Sequence, residues 1–436
     1  MTAEICIMNK LGVALAADSA VSLGGTNKVY NSANKLFSLS KVQPVGIMIY
    51  GSSNYMGIPW ETLIKLYRKE LGNTSFDCIL DYGEDFIKFL TKQDIHITAL
   101  DIDNHLEQNL DNFFDALIED LKDVLIDATP LDETLEPEQI NILSKQYIAE
   151  EFENMTNKKF ITNFTTEDIS EILTSKSALF EVIIEETFGD TILNDEVAVE
   201  QLKELGACYL LKEFGDSRSG VVITGFGVKE IYPSICTYTI DGIYNNKIKY
   251  ELKKHRSIGE HHLGAIFPFA QTNMVHTFIT GMDPYLWDYT KEQNYQQMLD
   301  LFSIVNEIIS EDDEIDSDKK EEIISKIFNK AESSIQSFTK QLMEFREAEF
   351  IDPLLSIVRS LPKEELAEMA ETLVNLSSFK RKVSSSIESI GGPIDVMLIT
   401  KGDGLVWIKR KHYFNTEFNQ DFFFNKYHIN KTIKDY

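Results

Sequence analysis

The sequence lacks the features that mark membrane and secreted proteins. No stretch of its 436 residues approaches the roughly 18 to 20 uninterrupted apolar residues that a membrane-spanning helix requires. No basic segment followed by an apolar run opens the chain, as it would in a secretory signal. We therefore expect a cytoplasmic protein that does not engage a membrane.

Cysteine is scarce. The four cysteines lie far apart and form no CxxC pair, so neither a disulfide framework nor a zinc site is indicated. We expect buried thiols in a reducing compartment, and we expect no metal and no other cofactor.

Basic residues are few compared with acidic ones. The 42 Lys and Arg stand against 70 Asp and Glu, which gives a formal net charge of -28. Such a chain repels the phosphate backbone of nucleic acid, which we therefore do not expect as a partner. The acidity is concentrated in residues 101 to 200, which hold 26 acidic and 5 basic side chains.

Apolar residues are abundant. The chain is 43% hydrophobic, which is enough to build large cores and excludes disorder of the whole chain. Nearly continuous apolar runs predict buried strands at residues 5–8, 13–17 and 45–50. Strands that are apolar on both faces must be covered on both, which favours a sheet between a second sheet and a layer of helices.

Helical periodicity appears between the strands. Apolar residues at helical spacing predict one helix from about Pro59 and another from about residue 78 to 92. We also predict a helix that begins near Pro268 and ends before Gly281. Near the end of the chain, a Gly-Asp-Gly turn at 402–404 between two apolar runs indicates a hairpin.

The alternation of strand-rich and helix-rich sequence predicts an interrupted core. The core comprises residues 1–95, 216–282 and 363–436, the last including a C-terminal tail. An acidic helical insertion covers 96–215 and a second helical insertion covers 283–362. Both insertions show the periodicity of amphipathic helices.

Three residues near the start of the chain could act together. Removal of Met1 would leave Thr2 with a free α-amine beside its hydroxyl, so that nucleophile and base share one residue. A buried Lys35 beside that amine would lower its pKa, and Asp18 would hold the lysine charged. Taken singly, each has an ordinary interpretation: Thr2 permits methionine removal, Asp18 forms a turn, and Lys35 is a solvated lysine.

The order of these motifs resembles a known family. Thr2 is followed by Gly-Val-Ala-Leu-Ala-Ala-Asp-Ser at 12–19, Asn-Lys-Leu-Phe at 34–37 and Ile-Met-Ile-Tyr-Gly-Ser at 47–52. This order is similar to the start of a proteasome β-type subunit, a family that, with the HslV and Anbu peptidases, belongs to the N-terminal-nucleophile hydrolases. The segment Ser-Ile-Gly-Gly-Pro-Ile-Asp-Val at 389–396 is most like the Anbu branch.

The resemblance implies a fold and a role for each residue. The implied fold is α+β, a four-layer αββα sandwich, here with two large helical insertions. Thr2 would be the nucleophile with its own amine as base, and Lys35 would tune that amine. Asp18 would orient Lys35, the Gly51 N–H would stabilise the oxyanion, and Ser389 would support the amine and a water.

The resemblance also implies partners. A threonine peptidase of this kind would act on a peptide or protein substrate and would work in a homo-oligomer. The alternative is a catalytically inactive, proteasome-like scaffold whose acidic helical insertions dock a protein partner.

Overall fold

The structure, a computed structural model, describes residues 3–22, 28–92, 97–129, 135–161, 163–188, 196–259, 263–311, 316–384, 391–412 and 414–420. The chain forms two compact units. Residues 1–33, 258–398 and 406–436 form the first unit, and residues 34–257 and 399–405 form the second.

Strands open and close the chain, and helices lie between them. The strands are β1 (Ala3–Asn9), β2 (Gly12–Ala17), β3 (Val21–Ser22), β4 (Val29–Tyr30), β5 (Leu36–Ser38), β6 (Val45–Gly51), β7 (Asn54–Tyr55), β8 (Ile58–Pro59), β9 (Ser219–Gly225), β10 (Ser234–Tyr244), β11 (Lys247–Ser257), β12 (Gly264–Ala270), β13 (Asp395–Thr400) and β14 (Gly404–Lys409). The helices are α1 (Trp60–Leu71), α2 (Ile79–Leu90), α3 (Ala99–Asp127), α4 (Pro137–Asn157), α5 (Thr166–Ser175), α6 (Ser177–Phe188), α7 (Glu196–Lys212), α8 (Asn273–Thr280), α9 (Pro284–Glu311), α10 (Ser317–Arg346), α11 (Asp352–Val358) and α12 (Lys363–Lys382).

The first unit is built on a five-stranded sheet in the order β12-β1-β2-β13-β14. Every residue of β1 and of β2 is buried, so both faces of these strands are covered, as their apolar sequences predict. Helix α12 packs on β1 and β2 through Leu366, Ala370 and Leu373, which belong to one apolar cluster with strand residues such as Ile5.

One predicted helix is partly wrong. Residues 264–270 form strand β12, in which Pro268 pairs antiparallel with Ile5 of β1, and the helix begins only at Asn273. Strand β12 lies at the edge of the sheet, which is where strands tolerate proline. The predicted end of the helix is confirmed, since Gly281 adopts φ +72° there.

The second unit contains an antiparallel sheet in the order β11-β10-β9-β6-β5. Helices α1 and α2 pack on this sheet through aromatic residues, including Trp60, Tyr67 and Phe86, which share a core with Ile47 and Ile223. The predicted helices after Pro59 and Cys78 are confirmed as α1 and α2.

Helices α3 to α7 have a core of their own within the second unit. Phe114, Phe180, Phe188 and Leu205 are buried in it, together with Tyr244 at the end of β10. Apart from the buried Asp168 of α5, the acidic side chains that the structure describes on these helices are exposed or partly exposed, as expected of amphipathic helices. The division of the chain into an interrupted core and two insertions stays a prediction.

The chain is thus a mixed α/β protein with antiparallel sheets. The four-layer αββα stacking implied by the family resemblance stays a prediction. None of the helices in the described ranges has the length and apolar character needed to span a bilayer.

Candidate functional site

Asp18 follows the end of β2 in the first unit and is 1% exposed. Its carboxylate accepts three backbone N–H bonds: Oδ1 from Ala3 at 3.0 Å, and Oδ2 from Gly391 at 3.0 Å and from Ala20 at 3.3 Å. The Asp18 N–H donates in return to the Ala3 carbonyl at 3.1 Å. Asp18 therefore fixes the backbone of the residue that follows Thr2.

The residues after Asp18 are tied to the segment before β13. The Ser19 N–H donates to the Gly391 carbonyl at 3.2 Å, and the Ser19 hydroxyl donates to the Pro393 carbonyl. Gly392 has φ +76°, and a Cβ there would lie 2.7 Å from the Asn31 Cβ. Glycine is therefore required at this position by both conformation and space.

Lys35 lies in the second unit, directly before β5, and is 6% exposed. Its carbonyl accepts the Ile49 N–H at 3.0 Å, which extends the pairing of β5 with β6 by one residue. Lysine is rarely buried to this degree unless it is paired. The interpretation of Lys35 as a solvated surface lysine is therefore wrong.

Gly51 is the last residue of β6 and has φ +83°. A Cβ at this position would lie 2.7 Å from the Arg218 carbonyl oxygen, so a larger residue is disfavoured by both conformation and contact.

The loop after Gly51 is fixed by side chains. The Ser52 N–H donates to the Arg218 carbonyl at 3.1 Å, and the Ser219 hydroxyl donates to the Ser52 carbonyl at 3.1 Å. Trp60 Nε1 donates to the Ser219 hydroxyl at 2.8 Å. The end of β6 is thus held in place by groups from β9 and α1.

Thr2 and Ser389 lie outside the described residues. Of the predicted site residues, Asp18 belongs to the first unit, whereas Lys35 and Gly51 belong to the second. The catalytic roles of all five stay predictions.

A second buried polar group, in the second unit, has no signal in the local sequence. The Asp241 carboxylate of β10 accepts a hydrogen bond from Lys249 Nζ of β11 at 2.8 Å and contacts His105 Nε2 of α3 at 3.0 Å. Asn109 of α3 donates to the Tyr244 hydroxyl at 3.1 Å, and that hydroxyl donates to Asp241 at 3.2 Å. His105 and Asp241 are 136 positions apart, and their pairing depends on the folded sheet.

Charge and burial act in opposite directions in this group. Burial raises the pKa of Asp241, but the Lys249 ammonium and His105 outweigh burial and hold that pKa well below its usual range. Burial lowers the pKa of Lys249, and Asp241 opposes that shift. Burial, followed by the charge of Asp241, raises the pKa of Tyr244. Each of these side chains is hydrogen-bonded within the group, which is typical of a structural network.

The part of the chain that the structure describes offers no metal site. Across the described ranges, no three His, Cys, Asp or Glu side chains are grouped as the ligands of a metal ion would be.

Comparisons with known proteins show a distant likeness among solved structures and none in sequence. No protein-family model matches the chain, and no curated protein matches it in sequence. Among solved structures, the chain is similar to Anbu (ancestral beta-subunit) from Yersinia bercovieri, with 9% sequence identity and a TM-score of 0.26 over 99% of this chain and 98% of that chain. A TM-score this low does not define a shared fold.

Proposed function

We propose that the chain is a threonine-type N-terminal-nucleophile hydrolase that cleaves peptide or other amide bonds. The observation that carries the proposal is the buried Asp18 carboxylate and its bond to the Ala3 N–H. A nucleophile at the end of a chain needs a fixed backbone, and this bond restrains the residue next to Thr2.

The chemistry follows from a threonine whose α-amine is free. The amine takes the proton of the Thr2 hydroxyl as Oγ1 attacks the substrate carbonyl carbon. Collapse of the tetrahedral intermediate breaks the amide bond, and the departing nitrogen takes the proton back from the ammonium. Water then hydrolyses the ester on Oγ1 with the same amine as base, and Thr2 is regenerated.

Lys35 would supply the electrostatic control. An unperturbed α-amine has a pKa of about 7.7 to 8.0, so only part of it is neutral at cellular pH. A neighbouring ammonium disfavours the protonated amine and lowers its pKa. The burial of Lys35 supports this role because low dielectric strengthens such an effect.

Gly51 would stabilise the oxyanion. An N–H on a rigid loop can donate to developing negative charge without reorganising, which is the source of its catalytic effect. The bond from the Ser52 N–H to the Arg218 carbonyl and that from the Ser219 hydroxyl to the Ser52 carbonyl support this role, because they hold the loop that follows Gly51.

The test uses the full-length chain and two substitutions at one position. Intact-mass spectrometry is expected to show loss of Met1, and incubation with an electrophilic peptide inhibitor is expected to add one inhibitor mass per chain. Thr2→Ala should abolish the adduct with thermal stability unchanged, whereas Thr2→Ser should retain it. A processed wild-type chain that forms no adduct and cleaves no peptide would contradict the proposal.

A second candidate function is a non-catalytic scaffold. The observation that favours it is that the three N–H bonds to Asp18 give this residue a structural role that needs no catalysis. Retention of Met1 in the purified chain would support the scaffold. With Met1 in place, the Thr2 nitrogen is part of a peptide bond and cannot act as the base.

A further inference from the structure

Helices α9 and α10 form an antiparallel pair that leaves apolar residues in solvent. Phe302 contacts Phe328 with ring centroids 5.2 Å apart, and Lys320 Nζ donates to the Ser310 carbonyl at 2.8 Å. Trp287 is the one buried residue of α9, and none of the described residues of α10 is buried. A helix pair of this length gains little stability from so thin a core.

The exposed apolar residues of α9 follow one face. Leu301, Ile304 and Ile308 are 58%, 54% and 63% exposed. At 3.6 residues per turn they fall within an arc of about 60°, next to the face that meets α10. Gln296, Ser303 and Ser310, spaced seven residues apart, are exposed on the other side of α9.

Helix α10 has a similar exposed edge. Phe338 and Phe345 are seven residues apart on one side of the helix and are 44% and 57% exposed. Between the two helices, an apolar groove is lined by Tyr295, Leu299, Phe302, Phe328 and Ile335. The pair therefore presents a continuous apolar strip along its length.

We propose that this strip is the surface on which a second copy of the chain docks, so that two α9–α10 pairs form a four-helix bundle. The proposal does not depend on catalysis.

Charge indicates which helices meet in the bundle. Helix α9 has five acidic residues and one basic residue, whereas α10 has five acidic and six basic residues. In a chain with a net charge of -28, this is a surface on which two copies can approach without strong repulsion. The opposite signs favour packing of α9 of each copy beside α10 of the other.

The area is sufficient for a stable dimer. Thirty residues of α10 give a length of about 45 Å, and two helices side by side are about 20 Å wide. Two such strips bury about 1,800 Å² in total, which is within the range of specific protein interfaces.

Sedimentation of the full-length chain tests the proposal. Wild type is expected to associate, and the triple variant Leu301→Glu, Ile304→Glu, Ile308→Glu should raise the dimer dissociation constant by about 1,000-fold or more. The matched variant Gln296→Glu, Ser303→Glu, Ser310→Glu adds the same charge to the other side of α9 and should associate as wild type does.

Circular dichroism should show that both variants fold, because all six positions are at least partly exposed. A monomeric wild type would mean that the strip has another occupant and would overturn the proposal. The proposal would also be overturned if the Leu301, Ile304 and Ile308 variant associated as strongly as wild type. The same holds if both triple variants raised the dissociation constant equally.

Discussion

Asp18 illustrates how one buried carboxylate can organise the start of a chain. Its two oxygens accept hydrogen bonds from N–H groups of β1, of its own turn and of Gly391, which is 373 positions away. Charge-assisted bonds of this kind are stronger than neutral ones. Whatever the activity of Thr2, the first unit depends on Asp18 to join its first strand to the segment before β13.

We predict that Asp18→Ala destabilises the chain by at least about 3 kcal/mol, because three buried N–H groups lose their acceptor. Asp18→Asn keeps one acceptor oxygen and should cost less. Urea unfolding followed by circular dichroism measures both. Ser356→Ala, at an exposed position of the same unit, is the control. A loss of less than 1 kcal/mol in Asp18→Ala would show that the carboxylate is not a structural anchor.

Single residues could be predicted only in part. The position of Asp18 after an apolar strand and of Lys35 before another singled them out, and both are buried. The bond between Asp18 and Gly391 has no local signal, because only the pairing of β1, β2 and β13 in one sheet brings these residues together.

At the scale of elements, continuous apolar runs were the strongest guide. Strands β1, β2 and β6 follow directly from them, and helices α1 and α2 follow from apolar residues at helical spacing. Where strand β12 lies, the sequence predicts the start of a helix, because Pro268 is also compatible with a first helical turn. Its position at a sheet edge, which tolerates proline, depends on pairing with β1 and is not encoded locally.

The buried group around Asp241 links three elements, α3, β10 and β11. It makes the attachment of α3 to the sheet sensitive to pH. The folded pKa of Asp241 lies below the unfolded value of about 3.9, so its contribution to stability is present above that value. The contribution is lost as the pH falls from about 4 towards the folded pKa.

We therefore predict that the free energy of unfolding of wild type falls more steeply below pH 4 than that of Asp241→Asn combined with Lys249→Met. At pH 7, Asp241→Asn alone should lose about 3 to 5 kcal/mol, because it leaves a buried ammonium unpaired. The double variant should recover part of that loss. Urea titrations between pH 3 and 7 measure the slopes, and parallel slopes would contradict the assignment.

The net negative charge of the whole molecule destabilises the folded state through repulsion, an effect that no single element shows. Helices α3 to α7 carry most of the excess acidity. Burial, then the neighbouring Glu107, Asp115 and Glu186, raises the pKa of Asp111 on α3. When a carboxyl has a raised pKa in the folded state, the folded protein loses stability as the pH rises through that pKa. At neutral pH the charge of Asp111 therefore opposes folding.

We expect salt to relieve this repulsion. Raising NaCl from 0.05 to 0.5 M shortens the screening length from about 14 to about 4 Å, which should raise the Tm by about 2 to 5 °C. The rise should level off above about 0.5 M, whereas an effect of salt on apolar burial would continue to grow. Asp111→Asn removes one of the repelling charges. It should therefore raise the Tm at low salt and make the increase in Tm on adding NaCl smaller than in wild type. A Tm that falls with NaCl would mean that attractive ion pairs, such as those of Lys203 with Glu181 and Glu200, outweigh the repulsion among the acidic helices.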